Sequence, residues 1–171
     1  VTPAGRDRGI GVLSAAEGLT ISEEADDTAL RAYVTVENRS NVRIGTYLLA
    51  PYPDDELLFC RITALEYAQE FRSDDATEIH ARRAMRSRGI DEQDFKFMAE
   101  LEPVAVLYSD DGELKRRMTD RVPKPETIVR PATDKGEIKT GLKIPAEGVF
   151  LGHLAVGGER VRTAAEPPTI D

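Results

Sequence analysis

A single cysteine in a chain of 171 residues leaves nothing to pair with, so an internal disulfide framework is excluded and a cytoplasmic address is expected. Cys60 stands in the apolar run Leu57-Leu58-Phe59-Cys60 and reads as a small buried hydrophobe. No apolar stretch approaches the ~20 residues of a spanning helix, and no membrane contact is expected. Val1 to Arg8 carries charges with no apolar segment behind them, so the secretory pattern is missing too. The only histidines, His80 and His153, lie far apart and outside any Cys/His ligand set, so no metal site is expected. No G-x-S-x-G elbow occurs. The acid pairs Glu23-Glu24, Asp26-Asp27, Asp54-Asp55, Asp74-Asp75 and Asp110-Asp111 fall in turn-like segments, where short side chains bond their own backbone. No catalytic residue is assigned.

What is present describes a globular domain, with 40% hydrophobic and 32% charged residues. A chain of this length buries roughly two-thirds of its unfolded surface and needs no metal or disulfide to fold. The formal net charge of −8 opposes a freestanding nucleic-acid binder, because phosphate contacts call for a positive field. Local cation clusters do occur, at Arg82, Arg83, Arg86 and Arg88 and at Lys115-Arg116-Arg117. Acids flank both, and both read as solvated faces.

The first seventy residues read as short strands separated by Gly, Asp and Ser clusters: Ile10–Leu13, Leu19–Ile21, Arg31–Val36, Arg43–Ala50 and Leu57–Tyr67. Five strands before any helix favour a closed barrel, because closure removes exposed edges. A helix is predicted over 76–88, capped by Ser73-Asp74-Asp75 and ended by Gly89, and a second over 92–99, capped by Asp91 and burying Phe95, Met98 and Ala99. Strands resume at Pro103–Tyr108. The Ser109-Asp110-Asp111-Gly112 turn returns the chain through Glu113–Met118 as a hairpin. Pro123, Pro125 and Pro131 keep the next stretch extended, with Thr127–Arg130 as the last strand or an edge strand. The fold class is mainly β, a small closed barrel with a short inserted helical segment. Residues 1–70 hold the first barrel strands, 71–100 the insertion, 101–158 the remaining strands and lead-out, and 159–171 a linker.

Gly152 to Gly157 has the spacing that opens a phosphate-binding loop. The Lys that reaches the phosphates and the hydroxyl that holds Mg²⁺ are replaced by Gly158 and Glu159, so no ATP site is expected here.

The tail Gly141-Leu142-Lys143-Ile144-Pro145-Ala146-Glu147-Gly148-Val149-Phe150-Leu151-Gly152-His153-Leu154-Ala155-Val156-Gly157-Gly158 resembles the segment leading from barrel to ATPase core in HerA-family DNA translocases. Gly9–Leu13 through Ile44–Leu49 is similar to that family's amino-terminal HAS-barrel. The resemblance implies a barrel that docks a NurA-type nuclease in DNA end resection, a hexameric ring in the full-length protein, and DNA handled through that ring. It implies no cofactor for this chain, with ATP and Mg required by the full-length protein. The missing initiator Met and the closing Glu166-Pro167-Pro168 lead to the expectation of a fragment. Leu57, Leu58 and Phe59, with Tyr52 in the adjoining turn, are the candidate docking residues; the apolar run reads either as partly exposed at a barrel end or, more commonly for such a run, as plain barrel core. The alternatives are an interaction barrel of another ring ATPase or secretion motor, or a small enzyme with a scattered site.

Overall fold

The computed structural model describes residues 9–16, 18–24, 27–69 and 95–145, together with the backbone of 155–156 and 159–160. Alternating burial defines the strands. In β1 (Gly11–Ser14) Leu13 points inward, and in β2 (Arg31–Val34) Ala32 and Val34 do so. A 3-10 turn at Val36–Asn41 leads to β3 (Tyr47–Pro51), where Leu48 and Ala50 face in. Two long strands follow, β4 (Leu57–Gln69) and β5 (Phe95–Asp110), then β6 (Glu113–Arg117) and β7 (Ile128–Pro131). All pairings are antiparallel, in the order β2-β1-β7-β3-β4-β5-β6, and β2 also pairs with β5. That last pairing closes six strands into a barrel, as expected, but leaves β6, expected among the barrel strands, outside it.

The interior is filled. Ile10, Leu30, Leu58, Cys60, Ile62, Phe97, Leu101, Val106 and Val129 pack there with the β1–β3 side chains. Register shifts at Phe59/Cys60 and Ile62/Ala64 bend the long β4–β5 pair, as bulges do where a sheet must curve. A second apolar cluster lies on the outside of β3, β4 and β5. There Leu49, Phe59 and Leu107 are covered by Ile138 of a short helix, α1 (Lys135–Gly141). Residues 57–60 therefore read as an unbroken apolar run because the pleat sends them alternately into the barrel and under the helix. Burial also pushes the Cys60 thiol well above its ordinary range. Native protein should thus fail to react with an aromatic disulfide reagent on the timescale of minutes, and denatured protein should release one equivalent of thiolate. Rapid stoichiometric reaction of the native chain would contradict the packing.

Several expectations are corrected. Residues 95–99, expected as the second half of a helix, begin β5, because Phe95, Phe97, Ala99 and Leu101 alternate and their backbone pairs with β4 and β2. Leu19–Ile21 is a loop held by one bridge, Thr20 to Ala29, and no strand forms there. Arg31–Val36 ends as a strand at Val34, and the first half of Arg43–Ala50 is a turn around Gly45 (φ 87°). The expected helix over 76–88 lies outside the described residues, as do His80, His153 and the arginines at 82–88. The β5–β6 hairpin is where it was predicted, and its turn residues Asp111 (φ 51°) and Gly112 (φ 79°) both take the left-handed region that a type I′ turn needs. In the tail, β8 (Ala155–Val156) pairs with β9 (Glu159–Arg160).

Candidate docking surface

The β3–β4 turn, expected to expose docking side chains, is a pinned barrel end. Tyr52 is 4% exposed and packs in the interior cluster. Its hydroxyl donates to the Arg121 carbonyl at 2.8 Å, and the Arg121 guanidinium lies 4.2 Å from its ring centre. The same guanidinium takes Asp54 in two bonds, at 2.6 and 2.9 Å, and also reaches Glu56. Arg117 clasps Glu56 at 2.6 and 2.7 Å and touches Asp120 at 3.2 Å. The hydrogen bonds from Arg121 hold the Asp54 carboxyl below its usual range, and the bonds to Glu56 raise the Arg117 guanidinium. These groups tie the turn to the segment after β6, and their charges are spent on one another. Leu58 and Phe59 are wholly buried and Leu57 is half-buried against the outer cluster. Leu58 and Phe59 are plain core, the commoner reading of such a run, and Tyr52, expected as accessible turn surface, is buried as well. Leu58 faces the interior and Phe59 the helix, so the four do not share one face.

A different surface gathers unspent charge. An open cleft of about 520 Å³ lies between the β5–β6 hairpin and the end of α1, lined by Tyr108, Lys115 and Arg116 on one side. Lys139, Thr140, Lys143, Ile144 and Pro145 line the other. Lys115 is paired with Asp110 at 2.6 Å. Arg116 donates instead to backbone carbonyls, Gly141 at 2.8 Å and Val104 at 3.4 Å, so it closes the negative end of α1 and meets no carboxylate among the described residues. Lys139 and Lys143 make no ion pair among the described residues. Three of the cleft's four cations therefore have no carboxylate partner among the described residues, in a chain whose net charge is −8.

Local chemistry fixes that arrangement. Asp134 caps α1, accepting from the amides of Gly136 at 2.8 Å and Glu137 at 3.2 Å, and Glu137 pairs with Arg130 at 2.6 Å. The helix ends in a Schellman turn: Ile144 N–H bonds the Lys139 carbonyl, Lys143 N–H bonds the Thr140 carbonyl, and Lys143 sits at φ 55°. Glycine is the favoured residue at that position, and a lysine there accepts backbone strain. Gly141 has no room for a side chain, since a Cβ would lie 2.6 Å from the Phe59 ring. The helix thereby sits tight on the barrel and its last turn faces the hairpin.

The sequence reading missed α1 and split the cleft. On sequence alone Lys115-Arg116-Arg117 reads only as a solvated face. An Asp cap followed three residues later by Glu, with lysines four apart at 139 and 143, is the signal that finds the other wall. Among the described residues, no group of three or more His, Cys, Asp or Glu is placed to hold a metal ion, and no helix is long and apolar enough to cross a membrane. No protein-family model and no curated protein matches the chain.

Proposed function

We propose that the chain is the non-catalytic assembly and docking barrel of a HerA-type ring ATPase, receiving a NurA-type nuclease in DNA end resection. The ATP- and Mg-dependent work belongs to an ATPase core elsewhere in the full-length protein, where the hexameric ring handles DNA. One observation carries this reading. The six-strand barrel is closed and its interior is filled by packed side chains, so what the module offers is surface. A closed barrel is also the fold that the resemblance in the tail and front segments implies. The reading assigns this chain no catalytic residue, cofactor or metal, and acts through protein contact.

The experiment is association with a NurA-type nuclease, followed by size-exclusion chromatography with light scattering. Co-elution of the chain with the nuclease is the expected result. A folded full-length ring that binds no nuclease would overturn the nuclease assignment, and binding to a different motor component would move the barrel to another ring ATPase or a secretion machine.

A further inference from the structure

We infer that the outer edge of β6, together with the cation-lined cleft beside it, takes an extended acidic segment of a partner protein by strand addition. The inference rests on the docking reading and gives it a place and a chemistry. Among the described residues, β6 pairs with β5 alone, and no backbone bond joins Glu113–Arg117 to any other segment. Its five residues offer an open ladder to an incoming strand. Beside it stand Arg116, Lys139 and Lys143, without carboxylate partners among the described residues, and an apolar wall that includes Tyr108 and Ile144. A strand of alternating acidic and apolar side chains satisfies the ladder, the cations and the wall together.

Other anions use less of this surface. A free phosphate would meet the cations and leave the strand edge and the apolar wall unused. A nucleic acid longer than the cleft would run onto the surface of a chain of net charge −8. At physiological salt the cleft's field fades within about 8 Å, too short a reach to offset that repulsion along a polymer. A short acidic strand ends with the edge it pairs with, so its charges stay beside the cleft. The lysine held at φ 55° keeps a cation where glycine would be easier, which fits a site that uses its charge.

The test is fluorescence anisotropy with a labelled peptide of alternating glutamate and valine, about eight residues long so as to span the strand. The chain is expected to bind it with a Kd below about 1 mM, and more weakly as salt is raised. The same peptide N-methylated at every backbone amide keeps its charge and loses the donors of both strand edges, and it should not bind. Lys139→Gln with Lys143→Gly should weaken binding about fivefold, while Lys143→Gly alone should raise the unfolding midpoint because it relieves the left-handed position. A loss of affinity in a chain that is no less stable cannot come from unfolding. Equal binding of the methylated peptide, no binding of either peptide, or tighter binding of a single-stranded oligonucleotide or of pyrophosphate would each overturn the inference. Self-association that the double substitution abolishes would give the edge to a second copy and overturn it as well. If a NurA-type nuclease binds the wild-type chain and the double variant equally, this surface fails and the docking reading stands. If the peptide binds and the nuclease does not, the reverse holds.

Discussion

Replacing Tyr52 with alanine is expected to cost ~3–5 kcal/mol, the range for deleting a buried aromatic side chain, and to lower the thermal midpoint accordingly. The ring lies in the barrel interior under the Arg121 guanidinium, and its hydroxyl holds the Arg121 carbonyl. Removing it opens a cavity and releases the cation that clasps Asp54 and Glu56. Tyr52→Phe keeps the ring and loses one hydrogen bond, so about 1 kcal/mol is expected. The pair separates packing from bonding, and equal losses in both would contradict the account. Burial raises the phenol above its ordinary range. The sign follows: the stabilisation is complete below about pH 10, where the unfolded tyrosine starts to ionise, and is lost as pH rises towards the folded value. Wild type should therefore lose stability in alkali more steeply than Tyr52→Phe.

Gly11→Ala is expected to cost about 3 kcal/mol or more, at the upper end of overpacking penalties. A Cβ there would stand 1.9 Å from the carbonyl oxygen of Tyr33, which belongs to the neighbouring strand and cannot rotate aside. Since β1 joins β2 to β7, forcing it away from β2 opens the barrel wall between those strands. Gly18→Ala is the control. It has φ 88° and open space around it, so only the left-handed penalty of ~1–2 kcal/mol applies. Urea unfolding of the two variants side by side measures the difference, and equal midpoints would contradict a closed β1–β2 seam.

Most of the barrel was legible because its strands alternate or carry explicit turn chemistry. Asp110-Asp111-Gly112 fixed the hairpin, and Arg43–Ala50 with Leu57–Tyr67 read as strands from their β-forming residues, the first shortened to Tyr47–Pro51 in the fold. The failures have physical causes. Phe95 to Leu101 alternates, but Met98 and Ala99 also suit a helix face, and only the long-range pairing with β4 and β2 decides between them. The helix α1 has seven residues, too few for a periodic signal, and contains Gly136. Tyr52 next to two prolines and two aspartates reads as turn surface, because its contact with Arg121 spans 69 positions that no local pattern reveals. The cleft failed for the same reason, as its walls come from residues 108–116 and 139–145.

The most direct measurement is backbone hydrogen exchange of the chain alone and in the presence of a NurA-type nuclease. If the barrel docks its partner by strand addition at the open edge, the amides of β6, Glu113–Arg117, exchange freely on their outer side in the isolated chain. They should slow sharply in the complex, while the interior strands change little. A complex that forms with β6 exchange unchanged, or no complex at all, would contradict it.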